Sequence, residues 1–267
     1  MDIFLQQVIN GLTLGSVYAV VALGYTMVYG IIQLINFAHG EVVMIGAMVA
    51  FTVITGLAAA GLPPVVVVLL DVACAVPVCM AVGYAMERLA YRPLRRAPRL
   101  APLITAIGVS IILQYLAVMV WTRNVIAFPQ IIRTETYHVA GAAITNVQLA
   151  ILLLCFAIMA GLAFLVYRTR LGTAMRATAQ NPQVAGLMGV DVNRVIAGTF
   201  IIGAGLAAVA GVMVGTYYGV AQYTMGSVLG LKAFCAAVLG GIGNIPGAML
   251  GGVVLGVVEA LGAGYVG

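Results

Sequence analysis

Ionisable side chains are scarce in this sequence and fall where they are costly. Glu41, Asp71, Lys232 and Glu259 each lie inside a long apolar run. A charged group within a hydrocarbon-crossing segment is expensive, so each marks either a paired structural site or a pathway for a solute, proton or ion. Asn36, His39 and Glu41 sit at a polar break, Gln33-Leu-Ile-Asn-Phe-Ala-His-Gly40, in an otherwise apolar stretch. Unwound backbone and polar side chains there can meet a solute in a water-filled cavity, or can simply stabilise a broken helix. Lys232 and Glu259 have opposite signs on neighbouring runs, so an ion pair between spans competes with a transport role for Lys232. Asp71 can face a neighbouring helix.

Other chemistry lacks its residues. There is no G-x-x-x-x-G-K-[ST] phosphate loop, and Lys232, in Gly230-Leu-Lys-Ala, does not form one, so ATP is not hydrolysed by this chain. His39 and His138 are far apart and give no histidine metal centre. A serine or cysteine hydrolase with a histidine base has no supporting motif. Cys74, Cys79, Cys155 and Cys235 lie in apolar runs without a C-x-x-C pair and read as small core residues.

The long polar segment 168–194 carries a different signal. Asn181 is a good N-cap, and Pro182 suits the first helical position. Val184, Leu187 and Met188 then fall at i, i+3 and i+4, with Ala185 and Gly186 between them and Gly189 as a stop. The pattern predicts a short exposed helix with an apolar stripe. Such an element either lies on the membrane surface or inserts into a groove on a partner, and the pattern alone leaves both open.

The elements that must position these residues follow from composition. The chain has 267 residues, 64% hydrophobic and 7% charged, with a mean hydropathy of +1.16. That excludes a water-soluble domain. At roughly 20 apolar residues per crossing there is room for about eight to ten spans. Apolar runs occupy about residues 8–32, 41–60, 63–86, 100–121, 146–167, 195–216, 227–243 and 246–265. The ten-residue alternation of barrel strands is absent. The expectation is an all-α, polytopic helical membrane protein of about eight spans. The break at 33–40 and the short run at 227–243 mark broken or re-entrant helices. The opening residues MDIFLQQ lack the positive start of a cleavable signal, so the first span is expected to stay.

Lys and Arg total 12 against 7 acidic residues, a net charge of +5. Most of the cations cluster in two segments: Arg88, Arg92, Arg95, Arg96 and Arg99 in the first, and Arg168, Arg170, Arg176 and Arg194 in the second. The stretch between them carries Arg123 and Arg133, offset by Glu135. Clustering of this kind orients a membrane protein and does not point to nucleic acid. Both Arg-rich loops are placed in the cytoplasm and the middle stretch outside. Alternation from there puts the amino terminus outside. Small residues at Gly11, Gly15 and Ala19, at Gly247 and Gly251, and at Gly252 and Gly256 let helices approach closely, whether within the chain, at a subunit interface or along a path. Tyr18, Tyr25 and Tyr29 share one helical face.

Three stretches in order carry a resemblance. They are Gln33-Leu-Ile-Asn-Phe-Ala-His-Gly-Glu41 with Met44-Ile-Gly-Ala47, Arg176-Ala-Thr-Ala-Gln-Asn-Pro182 with Ala185-Gly-Leu-Met-Gly-Val-Asp191, and the segment from Lys232 to Gly252 that includes Gly240-Gly-Ile-Gly-Asn-Ile-Pro-Gly247. Along nearly its whole length the chain resembles the permease subunits of bacterial branched-chain amino-acid ABC importers of the LivH type. The resemblance implies a multi-pass protein of the bacterial inner membrane, embedded in lipid, forming a single permease domain over residues 1–267. It implies a second, related permease, two cytoplasmic ATPase subunits that hold ATP and Mg, and a periplasmic amino-acid-binding protein, with no cofactor in this chain. Segment 168–194 becomes the coupling loop, and its short helix seats on an ATPase. Asn36, His39, Glu41 and Lys232 become candidates for the translocation path. Members of this family run on into a further hydrophobic span and a polar cytoplasmic tail, whereas this sequence stops at Gly264-Tyr-Val-Gly267. The residues alone also allow an ion-coupled carrier using Glu41, Asp71 and Glu259 as relay groups, or a packing scaffold. They leave urea, amides and other amino acids open as cargo.

Overall fold

Hydrocarbon offers no water to backbone N–H and C=O groups, so an apolar run must satisfy them internally as a helix. A computed structural model describes residues 2–57, 61–95, 97–98, 100–131, 134–139 and 142–266. Among these, seven helices are long and apolar enough to cross a membrane. They are α1 (Asp2–Ile32), α2 (His39–Leu57), α3 (Pro64–Ala85), α4 (Leu100–Val120), α5 (Asn146–Arg168), α8 (Val192–Tyr218) and α10 (Ile245–Tyr265). The polar loop after α5 forms α6 (Arg170–Gln180) and α7 (Pro182–Leu187). The apolar α9 (Met225–Leu239) is too short for a full crossing. Eight apolar helices therefore stand where eight runs were expected, one of them partial. Arg96, Arg99, Arg133 and Gly267 lie outside the described residues.

Burial separates an inner from an outer layer. Val20, Val21 and Leu23 of α1, Met44 and Met48 of α2, and Ala207 and Ala208 of α8 are fully or almost fully enclosed. By contrast α3, α4 and α5 present Leu69, Ile104, Ile112, Leu153, Phe156 and Phe164 outward, the apolar belt that lipid requires.

The inner helices touch through small residues. A Cβ on Gly11 would sit 2.6 Å from Cα of Val257, one on Gly15 2.7 Å from Cα of Val253, and one on Gly252 2.5 Å from Cα of Ala19. The notches at Gly11, Gly15, Ala19, Gly252 and Gly256 thus build the seam between α1 and α10. Gly247 and Gly251 pack α10 on α9 at Gly240 and Ala236. Without a solvent-driven force between helices in lipid, this backbone proximity supplies the dispersion contacts that hold them.

Hydrogen bonds sort the loops to two ends. At one end, Gln6 near the start of α1 exchanges bonds with the backbone of Ala143 (2.9 and 2.8 Å). Ala143 lies on β3 (Ala142–Thr145), which pairs antiparallel with β2 (Thr136–Val139). A shorter antiparallel pair joins Ile126–Ala127 to Val220–Ala221. At the other end, Arg95 Nη1 donates to Asn193 Oδ1 at 2.6 Å and ties one Arg-rich loop to the other. The amino terminus and the Arg-rich loops thus lie at opposite ends of the protein, as alternation of the runs requires.

Beyond α3 the chain widens into a π-helical turn, Met86–Tyr91, in which Arg92 N–H donates to the carbonyl of Glu87 at 2.7 Å. Such turns occur mostly as local insertions at functional positions. Here it directs both Glu87 and Tyr91 inward, where each is buried.

Candidate functional site

The break after α1 is built by three local devices. Gln33 adopts φ 53°, a left-handed conformation that ends the helix. Residues 33–38 then run without regular structure. His39 N–H donates to the Asn36 carbonyl (3.0 Å) and Glu41 N–H to that of Ala38 (3.1 Å), which starts α2. Here α2 meets the first turn of α9, glycine on glycine: a Cβ on Gly40 would lie 2.8 Å from Cα of Gly230, and one on Gly226 2.6 Å from the Gly40 carbonyl oxygen. From this crossing the two helices run to opposite ends of the protein.

Two helix N-termini converging inside a membrane concentrate partial positive charge. Glu41 lies in the first turn of α2, and its Oε2 is the atom a Cβ on Gly226 would meet at 2.5 Å. The carboxylate therefore stands against both N-termini. Its Oε1 accepts from Ser110 Oγ (3.0 Å) and Gln114 Nε2 (2.8 Å) of α4, while Oε2 has no hydrogen-bond partner among the described residues. Asn36 Oδ1 accepts from the Tyr91 hydroxyl at 2.8 Å. His39 packs edge-on against Tyr25, ring centroids 4.8 Å apart, in space that only a glycine at position 24 leaves free. Asn36, His39 and Glu41 are all buried, so in this conformation none of the three reaches the surface.

Lys232 is placed differently. Its Nζ lies 2.5 Å from Glu259 Oε1 and 3.3 Å from the Tyr18 hydroxyl, which itself donates to Glu259 Oε2 at 3.1 Å. The two charged side chains keep 37% and 33% of their exposure, so this cluster opens to the surface of the chain. Asp71 is buried on α3, and its Oδ1 has no hydrogen-bond partner among the described residues. No hydrogen bond or ion pair among the described residues joins Glu41, Asp71 and Glu259, the three relay groups a carrier would need.

The loop at the Arg-rich end is folded. Thr169 caps α6 by accepting from Gly172 N–H (3.1 Å), and Arg176 donates back to the Val166 carbonyl, which fastens α6 under α5. Asn181 Oδ1 accepts from the N–H groups of Gln183 and Val184, both at 3.0 Å, with Pro182 in the first turn of α7. Gly189, at φ 86°, turns the chain, and Val190 N–H donates to the Ala185 carbonyl at 3.0 Å. Asp191 then caps α8, accepting from Arg194 N–H at 3.1 Å. Val184, Leu187 and Met188 are 52%, 87% and 80% exposed, an apolar stripe left largely uncovered by the described residues. Ala185 differs from the three residues of the stripe. It is 4% exposed and faces inward, because position i+1 on so short a helix lies off the stripe.

The family described as Branched-chain amino acid transport system / permease component matches residues 7–267. The chain belongs to this permease family. The permease is 50% identical to the high-affinity branched-chain amino acid transport system permease protein BraD of Pseudomonas aeruginosa, over 99% of this chain and 88% of that protein. It is 48% identical to the corresponding LivH protein of Escherichia coli K12, over 98% of this chain and 87% of that protein. A more distant likeness, 28% over 41% of this chain, is to the xylose transport system permease protein XylH of Escherichia coli. No solved structure matches. Membership makes this a multi-pass inner-membrane transport subunit and not an enzyme.

Sequence reasoning missed part of the permease. Buried Glu87 is paired with Arg92 (3.2 Å) and with Arg95, and Arg95 reaches on to Asn193 in the first turn of α8. The signal available was an acidic residue amid five arginines, read only as net charge. The helix α6 was also unexpected, although Thr169 three residues before Gly172, together with the apolar spacing of Leu171, Ala174 and Met175, fits a capped amphipathic turn.

Proposed function

We propose that the chain is the translocation subunit of an ATP-driven importer for branched-chain amino acids, working by alternating access. In this reading it forms one permease domain with a coupling loop over residues 168–194, and pairs with a second, related permease. Two cytoplasmic ATPase subunits hold ATP and Mg, and a periplasmic binding protein delivers leucine, isoleucine or valine. The observation that carries it is α7: a capped helix at the Arg-rich end whose apolar stripe of Val184, Leu187 and Met188 is left uncovered. A contiguous apolar patch on a cytoplasmic loop is a partner surface. Asn181, Pro182, Gly186 and Gly189 shape this helix, and Ala185 anchors it against the body.

The transmission route runs from α7 through Asp191 into α8, which packs against α1, α2 and α3 in the core. Because Arg95 grips Asn193, a displacement of the α8 start also pulls on the π-helical turn. ATP binding in the partners biases one of two arrangements of these packed helices. The path lies on the face that carries Lys232, while Asn36, His39 and Glu41 hold the crossing of α2 and α9 behind it. Val, Leu, Ile, Ala and Gly walls suit an aliphatic side chain in transit, and weak polar contacts let the charged ends leave.

Leu187→Arg tests the reading. With the whole transporter in vesicles, uptake and ATPase stimulation by the loaded binding protein should fall at least tenfold while the subunit remains in the membrane. Normal uptake by this variant refutes the coupling role.

A further inference from the structure

We infer that Lys232, Glu259 and Tyr18 form a transient docking site for the charged ends of an α-amino acid zwitterion on the translocation path. The inference rests on the amino-acid permease reading above and deepens it.

Three observations converge. First, the cluster lies within the apolar helices: Tyr18 is near the middle of the 31-residue α1, Lys232 in the middle of α9, and Glu259 in the second half of α10. Second, it is open, with about a third of each charged side chain exposed, and Tyr218, beside the Tyr18 hydroxyl, is 47% exposed. Charges within such helices do not face lipid tails, so this face looks onto a water-filled path. Third, the groups are complementary to one class of solute. The Lys232 ammonium offers donors to a carboxylate, while the Glu259 carboxylate and the tyrosine hydroxyls offer acceptors to an ammonium. Val228, one turn before Lys232, and Val258, beside Glu259, are both exposed and give an aliphatic side chain apolar neighbours.

The resting ion pair sets how tightly such a site can hold. A zwitterion enters by exchange: the Lys232–Glu259 contact opens, the solute carboxylate meets Lys232, and the solute ammonium meets Glu259. Net charge at the site is zero before and after, and no proton moves. When the internal pair re-forms, it competes the solute off. The site thus recognises the zwitterion without trapping it, as a path requires and a receptor does not. Tyr18, hydrogen-bonded to both partners, keeps the two ends positioned while the pair is open.

The test uses the complete transporter in proteoliposomes and measures leucine uptake for Lys232→Met, for Glu259→Gln and for the charge exchange Lys232→Glu with Glu259→Lys. Expected are normal recovery of the complex, at least tenfold lower uptake for each single variant, and no recovery of uptake in the exchanged pair. Uptake within twofold of the parent in either single variant overturns the inference. So does an exchanged pair that restores uptake, because the pair is then only a brace. Should the single variants fail to assemble, Cys235 decides in a Cys74→Ser background. This exposed thiol lies one turn beyond Lys232, and a membrane-impermeant ammonium thiol reagent should modify it, more slowly with leucine present. A thiol that stays unmodified overturns the inference. A parent complex that takes up no branched-chain amino acid would instead refute the functional reading itself, before any variant is compared.

Discussion

Replacing Gly256 by alanine probes the seam that holds the inner helices together. The added Cβ would lie 2.7 Å from the Gly11 carbonyl oxygen and closer still to the backbone of Gly15. Ordinary carbon contacts need about 3.5–4.0 Å, and backbone cannot swing aside as a side chain can. The helices must therefore part by roughly 1 Å, and overpacking of this kind costs about 1–3 kcal/mol. Removing a helical glycine returns about 0.5–1 kcal/mol, which leaves a net destabilisation. Gly262 on the same helix has nothing within 4 Å of the corresponding position, so Gly262→Ala keeps only the gain. The two substitutions differ by ~2 kcal/mol, more than tenfold in the folding equilibrium at ~1.4 kcal/mol per decade. For a chain of this size that separates thermal midpoints by ~5 °C. Thermal unfolding of the purified subunit in detergent, followed by loss of helical signal, measures the gap. Equal midpoints, or a more stable Gly256→Ala variant, would refute the argument that close backbone contact at this seam holds α1 to α10.

Further substitutions address the site. Asn181→Ala removes the acceptor of two cap bonds and should cost α7 ~1 kcal/mol, raising amide exchange at residues 183–188 and lowering uptake several-fold, while Asn181→Asp keeps both. Glu87→Gln leaves Arg95 and Arg92 without their buried counter-charge. Breaking a buried pair costs about 3–5 kcal/mol, lessened here by the partly exposed arginines, so the thermal midpoint should drop clearly and Glu87→Asp should recover part of it. Glu41→Gln keeps an acceptor for Ser110 and Gln114 but removes the charge facing two helix N-termini. It should destabilise the subunit by about 1–2 kcal/mol, read as a lower midpoint in detergent, and an unchanged midpoint would show that the carboxylate does not serve the crossing.

What could be read from the sequence divides along physical lines. Helix number and the two loop ends were legible because lipid forces apolar runs to close their own hydrogen bonds and arginines stay on one side. The short helix α7 was legible because Asn181, Pro182, the apolar spacing and Gly189 act locally. The break at 33–40 was visible as polarity, yet the burial of Asn36, His39 and Glu41 was not, since it depends on Gly226 and Gly230, nearly two hundred positions away. The Lys232–Glu259 pair could be named as a possibility, but its half-open setting could not. The Glu87–Arg95–Asn193 link was hidden because its partners are brought together by the tertiary fold and the π-helical turn, neither of which leaves a periodic trace.

The central claim is that the uncovered stripe of α7 seats on an ATPase. A photo-crosslinking side chain placed at Leu187, 87% exposed, and for comparison at Tyr137 on the opposite end, tests it in native membranes. The expected result is an adduct between position 187 and a nucleotide-binding subunit, with none from position 137. Adducts from position 187 only to lipid, while the ATPase is captured elsewhere on the chain, would contradict the account.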